Sequence, residues 1–423
     1  MSTATAYKSQ PNIILVLTDD LGYGDLGVTG AQTISTPHLD QMAGEGVLLT
    51  SFYAAANVCT PSRAGLLTGR YPVRMGLARD VVRPQSTHGL PQSETTIAEL
   101  LQAEGYQTAM IGKWHLGHLP QYWPTEHGFE TFYGVRYSND MQPFGLYDQS
   151  DLIEEPVDQT TLTRRYTERA VDIIAASDNQ PFFLYLAHTF PHIPLFAEDP
   201  FLGGSEAGLY GDTVETIDWS MGQIFRALEA AGKDRDTLVI FTSDNGPWFE
   251  GSSGDSRNRK GSTWEGAYRV PFIARWPDVL PAGDVSDAPV SGLDILPTLA
   301  AIAGAGPDAG STLDGRDIWP VLETGAASPH DTLFFFDQDQ IAAVRSGDHR
   351  LVLRSYYRTI DIPHRLFDYP LLFNLKTDPA ESYSLTEREP ELVKHLLDLV
   401  DAEYEALGIE QNNTLVIPQP VEE

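Results

Sequence analysis

A single cysteine, Cys59, occurs in 423 residues. One thiol cannot close an internal disulfide, so a small disulfide-stapled secreted fold is excluded, although export is not. Long apolar runs are also missing. The apolar stretch 13–17 is followed closely by Asp19 and Asp20 and is too short for the apolar segment of a signal peptide. No run approaches the roughly 20 residues that span a bilayer. The expectation is a soluble protein with no membrane partner, cytoplasmic as it stands and periplasmic or secreted if a leader has been removed. Basic side chains are scarce too: 28 Lys and Arg stand against 59 Asp and Glu, a formal charge of -31. That field repels nucleic acid, which is excluded as a partner. It also disfavours a long polyanionic substrate unless the cleft is locally basic.

What is present suits a loop-rich enzyme. Hydrophobic residues make up 42%, and there are 36 glycines and 29 prolines. Residues 12–18 (NIILVLT) read as a buried strand. Further strands are expected over 47–53, 108–111, 182–187 and 238–242. Helical patterns cover 36–46, 63–68, 95–104, 166–176, 212–231 and 293–303. Strands alternating with helices and ending in polar residues predict an α/β fold with a mostly parallel central sheet covered on both faces. Sites in such sheets lie beyond the carboxyl ends of the strands. After about residue 320 the pattern changes to short strands at 332–336, 340–345 and 349–353, then a helix at 392–404. The expected organisation is a catalytic domain over 1–320 and a small C-terminal α+β subdomain with an antiparallel sheet over 321–423.

Asp19 and Asp20 follow one apolar strand, and Asp244 and Asn245 follow another. A parallel sheet can deliver both pairs to one edge. Three carboxylates and an amide oxygen form a hard ligand set, suited to calcium or magnesium rather than zinc. Taken singly, either pair reads equally as ordinary strand-ending turn residues.

Residues 57–72 read NVCTPSRAGLLTGRYP. Cys59 precedes Pro61, with Arg63 in an expected first helical turn. A helix N-terminus and an arginine would favour the thiolate, although a lone cysteine is ordinarily a buried structural residue. Here the chain resembles the type I sulfatases of the alkaline phosphatase superfamily. Their motif, Cys/Ser-x-Pro-x-Arg with a Thr-Gly-Arg tail, is met by Cys59, Pro61, Arg63, Thr68, Gly69 and Arg70. The likeness extends through LGYGDLG after Asp20, GKWHLGH, HTFPHIPL, TSDNG and KGSTWEGAYRVPFIARWP to LFNLKTDPAESYSL, over roughly residues 12–385. Where many members have EGG, this chain has Glu265, Gly266 and Ala267.

The resemblance implies an alkaline phosphatase-like fold and hydrolysis of a sulfate monoester. It implies a Ca2+ ion, with Mg2+ second, on Asp19, Asp20, Asp244 and Asn245. It also implies that a formylglycine-generating enzyme oxidises Cys59 to 3-oxoalanine (formylglycine). The hydrated aldehyde then attacks sulfur with one hydroxyl and expels sulfate with the other. Arg63, Lys113 and Lys260 would supply cationic stabilisation. His115 would orient or deprotonate the diol, and Asp244 would accept the attacking proton. His188 or Lys260 would serve the leaving oxygen. Lys113, His188 and Lys260 also take substrate-binding positions, and His192 is placed to contact the leaving group. Arg70, seven residues after Arg63 on the same expected helix face, would hold the nucleophile segment. A sulfate-contacting serine is either Ser138 or Ser150. Trp114, Trp123, Trp248 and Trp264 either stack on a substrate ring or belong to the core.

The leaving group stays open between an aryl group and a sulfated sugar or oligosaccharide. Two other readings stand beside sulfate hydrolysis. One is a phosphonate monoester hydrolase or phosphodiesterase of the same superfamily, which would meet the same charge. The other is a non-catalytic sulfate-ester binding protein, which the intact nucleophile and metal positions disfavour.

Overall fold

The computed structural model describes residues 10–178, 180–306, 312–357, 360–364 and 370–412. Its architecture starts from the strand Asn12–Thr18, every residue of which is buried. It pairs in parallel with Thr237–Ser243 on one side and Phe182–Ala187 on the other. Successive side chains point to opposite faces. Ile13, Leu15 and Leu17 therefore enter one apolar cluster while Ile14 and Val16 enter another. A strand buried on both faces has no polar stripe, which is why its sequence is continuously apolar.

The main sheet has ten strands, in the order Asp284–Ser286, Val47–Leu49, Phe272–Arg275, Thr237–Ser243, Asn12–Thr18, Phe182–Ala187, Gln107–Lys113, Thr131–Val135, Leu146–Asp148 and Asp151–Glu154. The central five run parallel. Antiparallel pairs flank them on both sides. The helices Cys59–Thr68, Ile97–Ala103 and Ile295–Ala303 cover one face. Pro37–Gly44, Leu162–Ala176 and Gly208–Ala230 cover the other. In the longest, Val214, Ile217, Met221, Ile224 and Leu228 form the apolar stripe at helical spacing.

The expected strand over 47–53 is two strands. Val47–Leu49 stays in the main sheet, whereas Phe52–Tyr53 pairs with Val290–Ser291 in a separate two-stranded sheet. Thr50 and Ser51 form the intervening turn. The flanking strands from Thr131 to Glu154 were not expected. They mix glycine, tyrosine and acidic residues, and several of their side chains are exposed, so the buried-strand signature is missing.

The C-terminal subdomain is a four-stranded antiparallel sheet, Leu333–Asp337, Gln340–Ser346, His349–Val352 and Leu371–Asn374. Val393, Leu396, Val400 and Tyr404 of the helix Pro390–Leu407 pack on it, and Tyr71 and Leu293 join that cluster from the catalytic side. A buried charge network also crosses between the two parts. Arg350, fully buried, pairs with Glu381, reaches Glu265 at 3.5 Å and donates to the Thr263 carbonyl at 2.7 Å. Glu381 in turn accepts the Glu265 backbone N–H at 2.8 Å. Replacing Arg350 by alanine strands two buried carboxylates. Loss of one partner of a buried pair costs about 3–5 kcal/mol, so Arg350→Ala should show that destabilisation in urea unfolding, with a correspondingly lower Tm.

Candidate active site

The parallel register decides what meets at the carboxyl edge. Thr18 lies opposite Ser243, and Leu17 opposite Ala187. The next residues in each chain segment, Asp19 and Asp20, Asp244 and Asn245, and His188, therefore leave the sheet side by side. Asp20 turns sharply, with φ 67°, and its N–H donates to Asp244 Oδ1 at 3.1 Å. The neighbouring strand brings Lys113. Its approach requires Gly112: φ is 103°, and a Cβ there would lie 1.8 Å from the Ala187 carbonyl oxygen.

Cys59 is the first residue of the helix Cys59–Thr68, which starts earlier than the sequence pattern indicated. Its Sγ lies 3.4 Å from Asp19 Oδ1 and 3.3 Å from Lys260 Nζ. Asp19 ion-pairs with Lys113, whose Nζ also donates to Ser138 Oγ at 2.6 Å. Lys260 Nζ stands 2.6 Å from Asp20 Oδ1. Arg63 is fully buried. It meets Asp244 Oδ2 through Nη2 at 2.9 Å and Nε at 3.0 Å, and donates from Nη1 to the Lys113 carbonyl at 2.8 Å. Burial alone would raise the Asp19 carboxyl, but Lys113, His192, Arg63 and Lys260 together hold it well below the usual range. Burial likewise opposes the charge on Lys260, and Asp20 and its acidic neighbours override it, keeping the ammonium protonated.

One expectation is corrected here. The Cys59 thiol is not poised as a thiolate. Burial pushes it up, and so does the Asp19 carboxylate. Arg63 is committed to Asp244 and Asp19 instead. A second correction concerns Arg70. Gly69 adopts a left-handed conformation at φ 66° and ends the helix, so Arg70 does not share a helix face with Arg63. It pairs with Glu94 at 2.6 Å and donates to the Thr312 carbonyl at 3.1 Å.

His115 has φ 61°, and Thr60 Oγ1 donates to its carbonyl at 2.8 Å. Its Nε2 is 3.0 Å from the Val82 carbonyl oxygen, and its buried Nδ1 has no hydrogen-bond partner among the described residues. Burial, then Lys113 and Arg63, holds the imidazole well below its ordinary pKa. The ring is therefore neutral, with its proton on Nε2 facing the carbonyl and a lone pair on Nδ1.

The two histidines of HTFPHIPL separate. His188 is fully buried, neither ring nitrogen has a partner among the described residues, and burial lowers it to about 4. His192 lines the cavity instead. Its Nδ1 lies 3.1 Å from Asn139 Oδ1, and its Nε2 lies 3.7 Å from Asp20 Oδ2. Ser138 also lines the cavity, whereas Ser150 is exposed in a turn. Of the four tryptophans, Trp248 borders it. Trp114 is buried and donates to the Tyr122 carbonyl, Trp123 donates to the His118 carbonyl, and Trp264 is buried beneath the Arg257 guanidinium. Asn57 escaped the sequence reading. It accepts from the Gly261 N–H and donates to the Ser262 carbonyl, so it holds the Lys260 loop against Cys59.

Ligating atoms of Asp19, Asp20, Asp244 and Cys59 lie within 4.8 Å of one another. Beside them Asn245 Oδ1 is buried with no hydrogen-bond partner among the described residues, while its Nδ2 donates to Asp20 Oδ1 at 2.8 Å. Three carboxylates and an orphaned amide oxygen fit a hard divalent cation. A cavity bordered by Cys59, Lys260 and two histidines, beside a cluster of carboxylates that fits a divalent cation at the carboxyl edge of a doubly covered α/β sheet, is the arrangement a metal-assisted hydrolase of anionic esters needs.

Comparison with known proteins gives the family. The sulfatase family model matches residues 11–305, and the model for the C-terminal region of aryl-sulfatase matches residues 328–419. The chain belongs to the sulfatase family, and its site is that of a sulfuric ester hydrolase. Arylsulfatase A of Bos taurus is 40% identical, with 95% of this chain and 88% of the relative aligned. The crystal structure of Ps i-CgsB in complex with k-i-k-neocarrahexaose has a TM-score of 0.84 at 30% identity, covering 96% of this chain and 95% of that one. The phosphonate monoester hydrolase of Agrobacterium radiobacter shares the fold at a TM-score of 0.65, with 19% identity and 94% and 95% of the two chains covered. Among the described residues no helix is long and apolar enough to cross a membrane.

Removing one carboxylate should test the metal set directly. Asp244→Ala and Asp19→Ala are each expected to weaken calcium binding by more than about 100-fold in titration calorimetry. Magnesium should bind the unmodified protein more weakly than calcium.

Proposed function

We propose that the protein hydrolyses sulfate monoesters of small or oligomeric substrates, with sugar sulfates ahead of aryl sulfates. The nucleophile would derive from Cys59, and a calcium ion would sit on Asp19, Asp20, Asp244 and Asn245. One observation carries this reading: Cys59 Sγ sits inside the carboxylate cluster and within contact of the Lys260 ammonium at the cavity edge. Sulfur is a soft donor among hard oxygens. Conversion of Cys59 to formylglycine by a dedicated maturation enzyme makes the whole set oxygen. When present, the ion supplies positive charge to the sulfate oxygens, and the oxidised Cys59 side chain supplies a hydrated aldehyde as nucleophile.

This chain's own side chains do the rest. Lys113 and Lys260 flank Cys59 and offer ammonium N–H groups to a sulfate group that gains charge during attack. Arg63 holds the Asp244 carboxylate through one N–H bond from Nε and an ion-pair contact from Nη2, and fixes its direction. Asp244 then accepts the attacking hydroxyl's proton. The Nδ1 lone pair of His115 takes the proton released when sulfate departs. Lys260 Nζ and His192 Nε2 stand on the cavity side and serve the leaving oxygen. His188, sealed beneath the sheet edge, supports the wall rather than touching the substrate. The sugar preference rests on the polar wall around Trp248 and on the likeness to a sulfatase solved with an oligosaccharide.

Two outcomes test the proposal. Active preparations should carry a Cys59 peptide about 18 Da lighter than the cysteine form, seen by intact peptide mass. Cys59→Ala should abolish turnover yet keep substrate affinity; full turnover in unconverted protein would remove the mechanism. The second outcome follows from the charge of -31. Salt screens long-range repulsion more than contacts inside the pocket. The kcat/KM for a monosulfated small substrate should change little over a salt series at fixed calcium, while that for a long, multiply sulfated glycan should start low and rise. A polyanion preferred at low salt would point to a basic groove and to the polymer as substrate.

A further inference from the structure

The cavity over Cys59 measures about 350 Å3, near the small end of ligand sites. Its floor carries the reacting groups already described, and its outer wall is built differently. Trp248 follows Asp244 and Asn245 on the same loop and is half-buried. It is braced from behind. Phe249 meets it edge-on at 4.9 Å, and its carbonyl accepts from Arg259 Nη1 at 3.3 Å. The Arg259 guanidinium lies 5.0 Å from the Phe249 ring centre. A rigid aromatic at a pocket mouth offers stacking area at low entropic cost.

A second part of the wall comes from the C-terminal subdomain. The hairpin between Leu333–Asp337 and Gln340–Ser346 reaches the cavity with Asp337 and Gln338. Gln338 has φ 53°, a left-handed conformation unusual for a residue with a side chain. The hairpin tip is tied on both sides of it. Asp337 Oδ1 accepts from Asn57 Nδ2 at 2.9 Å, and Asp339 Oδ2 pairs with Arg79 Nη2 at 2.5 Å. Strained residues persist where the surroundings over-determine them, and they cluster at ligand sites. Gln338 and Asp140 are both exposed where they border the cavity. The rim arginines each face a carboxylate, Arg79 with Asp339 and Arg83 with Asp80, and Asp140 and Asp337 add further acidic groups to the same lining.

We infer that this wall is the leaving-group subsite and that it selects a neutral, hydroxyl-bearing sugar ring at the end of a chain. The inference rests on the sulfatase reading above. The ring's apolar face lies on Trp248, and its hydroxyls bond to the Gln338 amide and the Asp140 carboxylate. The sulfate ester points to Lys113 and Lys260. A cavity of this volume encloses about one ring, which favours terminal over internal units. A flat aryl or steroid group offers no hydroxyl to Gln338 or Asp140 and so gains neither bond there, which favours the sugar ring.

The test uses the full chain, a methyl pyranoside monosulfate, the same sulfated ring placed inside an oligosaccharide, and 4-nitrophenyl sulfate. Gln338→Gly removes the amide while keeping the left-handed backbone, and Gln338→Asn keeps an amide in a residue that tolerates that backbone. The unmodified enzyme should prefer the terminal ring to the internal one by about tenfold or more in kcat/KM. Gln338→Gly should lower the ratio of sugar to aryl kcat/KM by about tenfold, chiefly through KM, with Gln338→Asn recovering part of it. Asp140→Asn should lower the same ratio. An unaltered ratio in both Gln338→Gly and Asp140→Asn, a preference for the internal ring, or cleavage of the aryl ester alone overturns the subsite. Failure to release sulfate from any of the three esters by calcium-loaded, converted enzyme overturns the sulfatase reading itself.

Discussion

Arg63 is buried to zero exposure between two carboxylates, and the site is arranged around that fact. A guanidinium out of water is tolerated only when it is paired and hydrogen-bonded. Asp244 supplies the pair, Asp19 adds to it, and the Lys113 carbonyl takes a further N–H. These contacts join one helix to the ends of three strands that are far apart in sequence. The carboxylates would repel one another if the arginine and the two lysines were not interleaved with them.

That interleaving has a functional side. Three acidic groups face three cationic ones below the cavity. The site can therefore host both a divalent cation and an anion without either meeting a large uncompensated charge. Fixed N–H groups and ammonium ions aimed at one place require little reorganisation when charge shifts. The acidity of the whole molecule is a separate property, carried mainly by exposed side chains and screened by salt. The C-terminal subdomain is part of the same construction: its hairpin borders the cavity, and Arg350 reaches back to Glu265, five residues after Lys260.

Much of this was readable before any coordinates. The strands Asn12–Thr18 and Phe182–Ala187 have the expected bounds, because strands buried on both faces write continuous apolar runs. The flanking strands left no such trace. Asp19, Asp20, Asp244, Cys59, Arg63, Lys113 and Lys260 are brought into one contact cluster, of which Asp20, Cys59 and Lys260 border the cavity together with His115. The histidine assignment was less legible. His188 and His192 lie in one short segment, and only the path of the backbone decides that the second faces the cavity while the first faces the interior.

The sequence by itself determined which oxygen donors, cations and single thiol the chain can bring to one site, since residue types at particular spacings specify them. It also determined the central strands, whose burial dictates composition. Tertiary structure alone decided three matters. It chose Ser138 over Ser150, because Ser138 is brought within 2.6 Å of Lys113 Nζ by a chain path that has no signature in spacing. It left the Cys59 thiol protonated, because Arg63 reaches the carboxylates and burial acts on the sulfur. It placed Gln338 and Trp248 on one wall, joining residues from different parts of the chain whose individual contexts are those of an ordinary hairpin and an ordinary loop. Contacts of that kind depend on distances between segments, and composition and periodicity carry no record of those distances.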